Sequence, residues 1–279
     1  MNLAKIAVLV TAFLIGQATS SAAADAESSG SIVELETPLA SAHPLVGYLR
    51  RPRGVGPLPA VVLLHGCSGN WLNIDERWGK RIASWGYVAL SVDSFGPRGI
   101  KRTCRESAFN DFRTDAHRAL DFLAQHPTID PARIAVIGFA SGGFFALESV
   151  ERSSIGQKSA NRFRAAIAFY PPCVRLKGDM TAPTLILIGE RDDWNAADDC
   201  RKLVAGGDAW GISRQENRGI PIQLVVHPGA YHAFDAPALK VPREIEGHHL
   251  EFNQSATDQS IATLHEFLDM TIGSKEKQP

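Results

Sequence analysis

The stretch Gly138-Phe139-Ala140-Ser141-Gly142-Gly143 has the spacing of a nucleophile elbow, but its central residue carries no nucleophile. In that motif, Gly-x-Nuc-x-Gly, a strand turns sharply into a helix and presents the reactive side chain on the turn. The residues two positions either side must be small so that strand and helix can approach, and Gly138 and Gly142 satisfy this. Their frame places Ala140 at the nucleophile position, where a methyl group cannot attack a carbonyl carbon.

Ser141 is the alternative nucleophile at this turn. Shifting the frame by one residue makes Phe139 and Gly143 the flanking positions, and Phe139 is too large for the close contact. In the unshifted frame Ser141 follows the nucleophile position, so its backbone N–H is a predicted oxyanion-hole donor. A glycine-rich turn without chemistry is the remaining interpretation of this element.

Acidic residues follow the apolar run 184–189, which we predict to be a strand. Asp192 is the first candidate for the acid of a catalytic triad, and Asp193 is the second. Such an acid accepts the imidazole N–H of a histidine and stabilises the imidazolium that forms during reaction. A solvated acidic loop is the alternative.

His232 lies in the loop after the last predicted strand, 222–227, where a general base belongs. His227, at the end of that strand, is interpreted as structural. The adjacent pair His248 and His249 cannot face one ligand together on a helix or strand, so we assign it to the surface or to packing. The Cys and His spacings predict no metal site.

The loop that follows the predicted strand Ala60–Leu64 begins with His65-Gly66-Cys67-Ser68-Gly69. In folds with a nucleophile elbow, this loop supplies the second oxyanion donor. We predict the backbone N–H of Cys67 for that role and a scaffolding role for His65. A tight glycine turn is compatible with both assignments.

The elements that must position these residues alternate between strands and helices. Continuous apolar runs predict buried strands, and apolar positions at helical spacing predict helices. The predicted strands are 31–36, 45–50, 60–64, 87–92, 134–138, 164–170, 184–189 and 222–227, and the predicted helices are 75–85, 113–125, 142–150 and 259–270.

This alternation predicts an α/β fold, with a mostly parallel central sheet covered by helices on both faces. Right-handed crossovers bring the carboxyl ends of the parallel strands to one edge of the sheet, where such folds place their sites. The chain order of elbow, acid and histidine is that of the α/β-hydrolase fold.

Residues 1–24 have the layout of a secretory signal peptide: Lys5, a short apolar run, and a small-residue cleavage site ending at Ala24. We therefore expect an exported protein, periplasmic or secreted, with one domain over 25–272 and a flexible tail over 273–279. The net charge of −1 over 279 residues predicts neither a nucleic-acid partner nor a polybasic membrane contact. No span of a membrane is expected after cleavage.

Several ordered motifs together resemble the dienelactone hydrolase family of α/β-hydrolases. The resemblance runs from about Pro57 to Phe267. The matching stretches are His65 to Gly69, Asp93-Ser94-Phe95-Gly96-Pro97-Arg98-Gly99, Gly138 to Gly143, Tyr170-Pro171-Pro172-Cys173, Gly189 to Trp194, and Tyr231-His232-Ala233-Phe234-Asp235.

The resemblance implies a single α/β-hydrolase domain that cleaves esters or lactones without a metal or organic cofactor. Its members use a Cys or Ser nucleophile, an Asp and a His. Carried over by position, the acid is Asp192, the base is His232, and the nucleophile position is Ala140, where this sequence departs from the pattern. The implied partner is a small ester or lactone.

In the strand arrangement that the resemblance implies, Cys67 and Cys104 follow adjacent strands at one sheet edge. Cys173 and Cys200 also follow neighbouring strands. We therefore predict the disulfides Cys67–Cys104 and Cys173–Cys200, which suit an oxidising compartment. Each would contribute about 3–4 kcal/mol by the loop-entropy model. Four free thiols are the alternative to these disulfides. Cys67 is a further candidate nucleophile, but its position outside the elbow argues against that role.

Arg98 and Arg102 lie in the loop after the predicted strand 87–92, near the edge that holds the site. Either could recognise a substrate carboxylate through paired N–H donors. Ordinary surface arginines are the favoured alternative.

Three hypotheses follow for the whole chain. The first is a hydrolase whose parent has Ser or Cys at position 140, with Ala140 an introduced substitution. The second is a binding protein without catalysis that kept the pocket. The third is an active enzyme that uses Ser141, Cys67 or a water directed by His232. The rest of the predicted site, which comprises Asp192, His232 and two oxyanion donors, favours the first hypothesis over the second. A binding protein has no need of a correctly placed acid and base.

Overall fold

The computed structural model describes residues 29–35, 44–104, 112–152, 160–208 and 212–273. The predicted signal peptide over 1–24 and the tail beyond Gly273 lie outside these ranges. Among the described residues, no helix is both long enough and apolar enough to cross a membrane.

An eight-stranded sheet forms the centre of the molecule, with strand order β1-β2-β4-β3-β5-β6-β7-β8. Strands β3 to β8 are mutually parallel, whereas β1 and β2 add an antiparallel edge. The predicted α/β-hydrolase fold class is therefore confirmed. The strands are β1 (Ser29–Glu34), β2 (Val46–Arg51), β3 (Leu58–Leu64), β4 (Val88–Asp93), β5 (Ile129–Phe139), β6 (Ala165–Phe169), β7 (Thr184–Gly189) and β8 (Ile222–His227).

The inner strands are buried on both faces because helices cover the sheet on both sides. Every residue of β6 and β7 is buried, as expected for a parallel strand with a continuous apolar sequence. Strand β8, at the edge, is only half-buried. The α-helices within the described ranges are α1 (Trp71–Ile74), α2 (Lys80–Ser84), α3 (Asp115–Gln125), α4 (Ser141–Ser149), α5 (Ala197–Val204) and α6 (Gln254–Ile272).

A π-helical turn, Asp75–Gly79, joins α1 to α2 and makes one helical segment of 71–84. The buried carboxylate of Asp75 accepts two hydrogen bonds from Arg50, at 2.8 and 2.6 Å, and one from Ser91 at 3.0 Å. A π-helical turn has i→i+5 hydrogen bonds and usually occurs as a single turn inside an α-helix. Here the turn brings Asp75 to its partners beneath the sheet.

Helices α3 and α4 pack together and against β3 and β5, while α6 packs against β5, β6 and β7. The end of α2 meets α6, where the rings of Trp85 and His265 stack with centroids 4.3 Å apart. Two features are not predicted by the sequence: helix α5 and a small antiparallel hairpin formed by β9 (Arg243–Ile245) and β10 (His248–Leu250).

Two disulfides, Cys67–Cys104 and Cys173–Cys200, are present, and no cysteine of the described residues is free. These are the two pairs that the sequence predicts. Cys67 has no thiol in this state and therefore cannot act as the nucleophile, which removes one form of the third hypothesis.

Candidate active site

The turn between β5 and α4 has the strained backbone of an elbow at residue 140. Ala140 has φ of 51° and ψ of −118°, a conformation that side-chain-bearing residues rarely adopt. The turn is held by two backbone hydrogen bonds, from the Ala140 N–H to the carbonyl of Phe169 at 3.0 Å and from the Phe144 N–H to the carbonyl of Ala140 at 3.1 Å. The strain therefore falls on Ala140, not on Ser141, which begins the helix.

The two flanking glycines are required by close packing of the backbone. A Cβ atom at Gly138 would overlap the carbonyl of Gly142, and one at Gly142 would overlap the carbonyls of Leu64 and His65. A Cβ at Gly66 would lie 3.2 Å from the Cβ of Ala140. The loop after β3 therefore lies directly against the elbow.

Asp192 and His232, from the loops after β7 and β8, form a buried hydrogen-bonded pair. His232 Nδ1 lies 2.8 Å from Asp192 Oδ2, and both side chains are almost fully shielded from solvent. The other oxygen, Oδ1, accepts the N–H groups of Trp194 at 3.0 Å and Asn195 at 2.8 Å. Because the carboxylate can only accept, Nδ1 carries the proton and Nε2 is left as the basic nitrogen.

Two aromatic rings contact His232. Its ring centroid is 4.7 Å from that of Tyr170 and 5.1 Å from that of Trp194. Both residues belong to stretches that carry the family resemblance, but the sequence predicts no role in the site for either. The signal that could have found Tyr170 is its position directly after β6, at the same sheet edge as the elbow.

Tyr170 is itself held by a buried network on Asp235. Its hydroxyl donates to Asp235 Oδ1 at 2.8 Å, while Oδ2 accepts from Arg77 and from the indole N–H of Trp78, both at 2.6 Å. Burial, reinforced by the charge of Asp235, raises the pKa of Tyr170 well above its ordinary value. The phenol therefore stays neutral and keeps donating, which fixes the ring against His232.

His65 serves as a neutral scaffold for the loop after β3. Its Nδ1 lies 2.8 Å from the carbonyl of Gly66, and its Nε2 accepts the N–H of Ser94 at 3.2 Å. Burial lowers the pKa of His65, so the neutral tautomer with the proton on Nδ1 satisfies both contacts. The imidazole is fully engaged in shaping the loop.

The predicted oxyanion donors are the backbone amides of Cys67 and Ser141. Among the described residues, neither amide donates a hydrogen bond to another protein group. Ser141 opens α4, where the first-turn amides lack partners within the helix. Both groups are thus available to an acceptor placed near the elbow.

Ser141 lines a small cavity of about 20 Å³ beside the elbow. The wall includes Ser94, Thr103 and Asp115, but neither Ala140 nor His232. The cavity therefore lies to one side of the acid–base pair. Its volume admits about one water molecule, not an ester.

Arg98 and Arg102 occupy two different environments. The Arg98 side chain is buried, with Nη1 and Nη2 on the two oxygens of Asp115 at 2.7 and 2.8 Å and Nη1 on the carbonyl of Ser94 at 2.6 Å. This corrects both expectations for Arg98, because its donors are used inside the protein and it is not a surface arginine. Arg102 is about half exposed and pairs with Glu246 at 3.0 Å.

The remaining candidates lie around the hairpin or in the core. Asp193 is half exposed and its carboxylate accepts the His249 N–H, with both oxygens at 3.2 Å, so it is not the partner of His232. The His248 ring stacks on Trp194 at 4.8 Å. His227 is buried, 2.8 Å from the hydroxyl of Ser260. No group of three or more His, Cys, Asp or Glu within the described ranges could hold a metal ion.

A sequence profile of the dienelactone hydrolase family matches residues 45–271. A probable 2-oxo-3-(5-oxofuran-2-ylidene)propanoate lactonase from Bradyrhizobium sp. is 26% identical over 211 residues, which cover 68% of this chain and 78% of that protein. A lipase from a Moraxella species is 28% identical over 155 residues, 53% of this chain. The chain spans only 42% of that lipase.

Solved structures show the same architecture. A dienelactone hydrolase-like promiscuous phosphotriesterase from metagenomic libraries superposes with a TM-score of 0.68 at 20% identity, covering 89% of this chain and all of that one. A thermophilic esterase from Thermogutta terrifontis gives a TM-score of 0.61 at 18% identity, with 90% and 95% covered. At these identities the likeness concerns the fold.

Proposed function

Because the chain belongs to the dienelactone hydrolase family, we propose that its site is built to hydrolyse carboxylic esters or lactones with a nucleophile, His232 and Asp192. We further propose that Ala140 occupies the nucleophile position, so that the protein with this alanine has almost no hydrolytic activity. The observation that carries this proposal is the buried 2.8 Å pair of His232 and Asp192 at the sheet edge that holds the strained elbow.

With Ser or Cys at position 140, the residues have the following roles. His232 Nε2 removes the proton of the nucleophile as it attacks the substrate carbonyl, and Asp192 stabilises the imidazolium that results. The amides of Cys67 and Ser141 donate to the oxyanion of the tetrahedral intermediate. His232 then protonates the leaving alkoxide, and a water repeats the sequence to release the acid.

Without an atom that can attack, the covalent route is closed. Loss of a triad nucleophile lowers turnover on the order of a million-fold, with about 10³–10⁴ over water left from the remaining site. The relatives support an acyl substrate, since the Bradyrhizobium protein is a probable lactonase and the Moraxella protein a lipase. The two disulfides support the proposed export of the mature chain.

Ala140 itself favours one alternative, a binding protein on the same fold that does no chemistry. Such a protein needs a pocket but has no need of an oriented acid and base. The retained hydrogen bonds of Asp192, to His232 and to the amides of Trp194 and Asn195, therefore favour a hydrolase. A second alternative, catalysis by Ser141, meets the difficulty that Ser141 is not the strained residue of the turn.

Placing a serine or cysteine at position 140 restores the missing nucleophile and tests these alternatives directly. We expect hydrolysis of p-nitrophenyl acetate and of a small lactone to rise by at least about 10³-fold in Ala140→Ser and Ala140→Cys, because the rest of the site is in place. The same assay on Ser141→Ala in the unaltered chain should show no change. Activity in the unaltered chain that Ser141→Ala abolishes would refute the missing nucleophile. Two inactive restored variants would favour the binding protein.

A further inference from the structure

The two disulfides of this protein differ in place and in exposure. Cys173, in the loop after β6, and Cys200, in α5, are almost completely buried, at 1% and 0% exposed. Cys67 and Cys104 are only half-buried, and Cys67 belongs to the loop after β3 that lies against the elbow. A reductant in solution therefore reaches the Cys67–Cys104 bond more readily, since thiol–disulfide exchange requires access to sulfur.

The segment 101–104 braces the loop 66–69 at three points. The Thr103 N–H donates to the carbonyl of Cys67 at 2.8 Å, and the disulfide joins the next residue to the Cys67 side chain. A Cβ at Gly69 would lie 3.0 Å from the carbonyl of Lys101, so the turn also packs tightly on this segment. Residue 67 is thus held through its carbonyl and its side chain, while its N–H has no acceptor among the residues that the structure describes.

From this arrangement we propose that Cys104 is a positioning residue for the Cys67 amide, and that reduction of the Cys67–Cys104 bond weakens oxyanion binding. The proposal rests on the proposed function for its catalytic consequence. An oxyanion donor is effective only when it is preorganised at the place where negative charge develops. Without the covalent link, residue 67 keeps the Thr103 hydrogen bond to its carbonyl but loses the constraint on its side chain. The contact of His65 with the Gly66 carbonyl and the packing at Gly69 still hold the residues on either side.

The reductant we name is a dithiol. One thiolate attacks a sulfur of the Cys67–Cys104 bond, that bond breaks, and a mixed disulfide forms. The second thiol of the reagent then attacks the reagent sulfur of the mixed disulfide. The bond to the protein sulfur breaks, and the reagent leaves as a cyclic disulfide. Two electrons and two protons pass from the dithiol to the protein, which gains the thiols of Cys67 and Cys104.

The first test needs no catalysis and uses the unaltered chain. Mild dithiothreitol followed by iodoacetamide should label Cys67 and Cys104 while Cys173 and Cys200 stay protected. Hydrogen–deuterium exchange of the peptide over 65–69 should then increase at least about tenfold, because local opening is favoured when a constraint is lost. Labelling of the buried pair first, or unchanged exchange at 65–69, would overturn the proposal.

The second test uses the Ala140→Ser background and two matched double variants. Cys67→Ala/Cys104→Ala keeps the residue 67 amide, and we expect kcat to fall about 10- to 100-fold with KM nearly unchanged, part of the 10²–10³ that a whole donor contributes. Cys173→Ala/Cys200→Ala should lower the melting temperature but leave kcat and the exchange at 65–69 as they were.

The outcomes separate this proposal from the proposed function. An inactive Ala140→Ser protein contradicts the proposed function, whereas the exchange at 65–69 still decides whether the bond braces the loop. Equal kcat in the two double variants of an active protein would refute the positioning role of Cys104. A rise in KM with kcat retained would also refute the positioning role of Cys104.

Discussion

The carboxylate of Asp192 divides its two oxygens between different partners. Oδ2 accepts from His232, and Oδ1 accepts from the amides of Trp194 and Asn195. The amides fix the carboxylate in the turn, and the fixed carboxylate selects the imidazole tautomer with a basic Nε2. At the scale of single residues, this orientation supports the proposed role of His232 as the general base.

We expect Asp192→Asn in the Ala140→Ser background to lower kcat by about 10⁴-fold. The amide can donate to Nδ1 and so favours the wrong tautomer, while the geometry is kept. Ester hydrolysis followed at pH 7.5 measures the effect. Asp193→Asn is the matched control, because Asp193 contacts the His249 N–H and not His232, and its kcat should stay within about twofold. Equal losses in both variants would contradict the assignment of Asp192 as the acid.

Chain order and the expected strand ends were enough to nominate Asp192 and His232 from the sequence. The choice between Asp192 and Asp193 was less secure, because neighbouring residues in a loop can point to opposite sides. The roles of Tyr170 and Asp235 could not be predicted, since their hydrogen bond joins positions 65 residues apart in the chain. Local pattern carries no information on such a contact.

At the scale of elements, the elbow depends on how closely β5, α4 and the loop after β3 approach one another. Gly138 and Gly142 have no space for a Cβ, and the obstructing atoms are backbone carbonyls that cannot rotate away. The strained conformation of Ala140 is held by this packing and by its backbone hydrogen bonds. The packing of these backbone segments and the two hydrogen bonds therefore hold position 140 in its observed conformation.

Gly138→Ala is expected to lower the free energy of unfolding by about 3 kcal/mol or more, since overpacking against fixed backbone is costly. Urea denaturation followed by circular dichroism measures it. Gly207→Ala is the control, because the nearest atom to its Cβ would be 3.5 Å away, and we expect a change below about 1 kcal/mol. A Gly138→Ala protein as stable as the control would mean that the elbow is not closely packed.

Strong periodicity made most elements predictable. Strands β7 and β8 have the predicted bounds, and the predicted helix over 142–150 is α4 displaced by one residue. The hairpin of β9 and β10 was missed because three-residue strands around Glu246 and Gly247 offer no apolar alternation. Short polar elements form through tertiary contacts, such as those of His248 and His249 with the acid loop, and not through local preference.

At the scale of the whole molecule, folding buries several ionisable groups in neutral form. His65, His117 and His227 are each less than a tenth exposed. Burial lowers the pKa of all three. In the unfolded chain the same side chains titrate near 6.5. The unfolded state therefore binds more protons than the folded state as the pH falls below about 7.

This difference makes stability depend on pH with a definite sign. The contribution of each histidine to the free energy of unfolding is fully present above the pKa of the unfolded state. It is lost as the pH falls from there toward the lowered pKa of the folded state. Each can add a slope of up to about 1.4 kcal/mol per pH unit. Between pH 7.5 and 5.5 unfolded carboxylates, with pKa values near 4, stay ionised. In this window the lowered pKa values of the three buried histidines therefore reduce stability as the pH falls. Glu148, whose pKa is raised by burial, and His249, whose pKa is raised mainly by its hydrogen bond to Glu251, act with the opposite sign.

His227→Gln isolates one of these contributions. The glutamine amide can occupy the place of the ring Nε2, which lies 2.8 Å from the Ser260 hydroxyl, but it has no proton to gain in this pH range. We expect the fall in the free energy of unfolding between pH 7.5 and 5.5, measured by urea denaturation, to be smaller in the variant by up to about 1.4 kcal/mol per pH unit. Glu148 is present in both proteins, so its effect cancels in the comparison. A variant with the same or a steeper dependence would show that His227 is protonated in the folded protein, contrary to the lowered pKa.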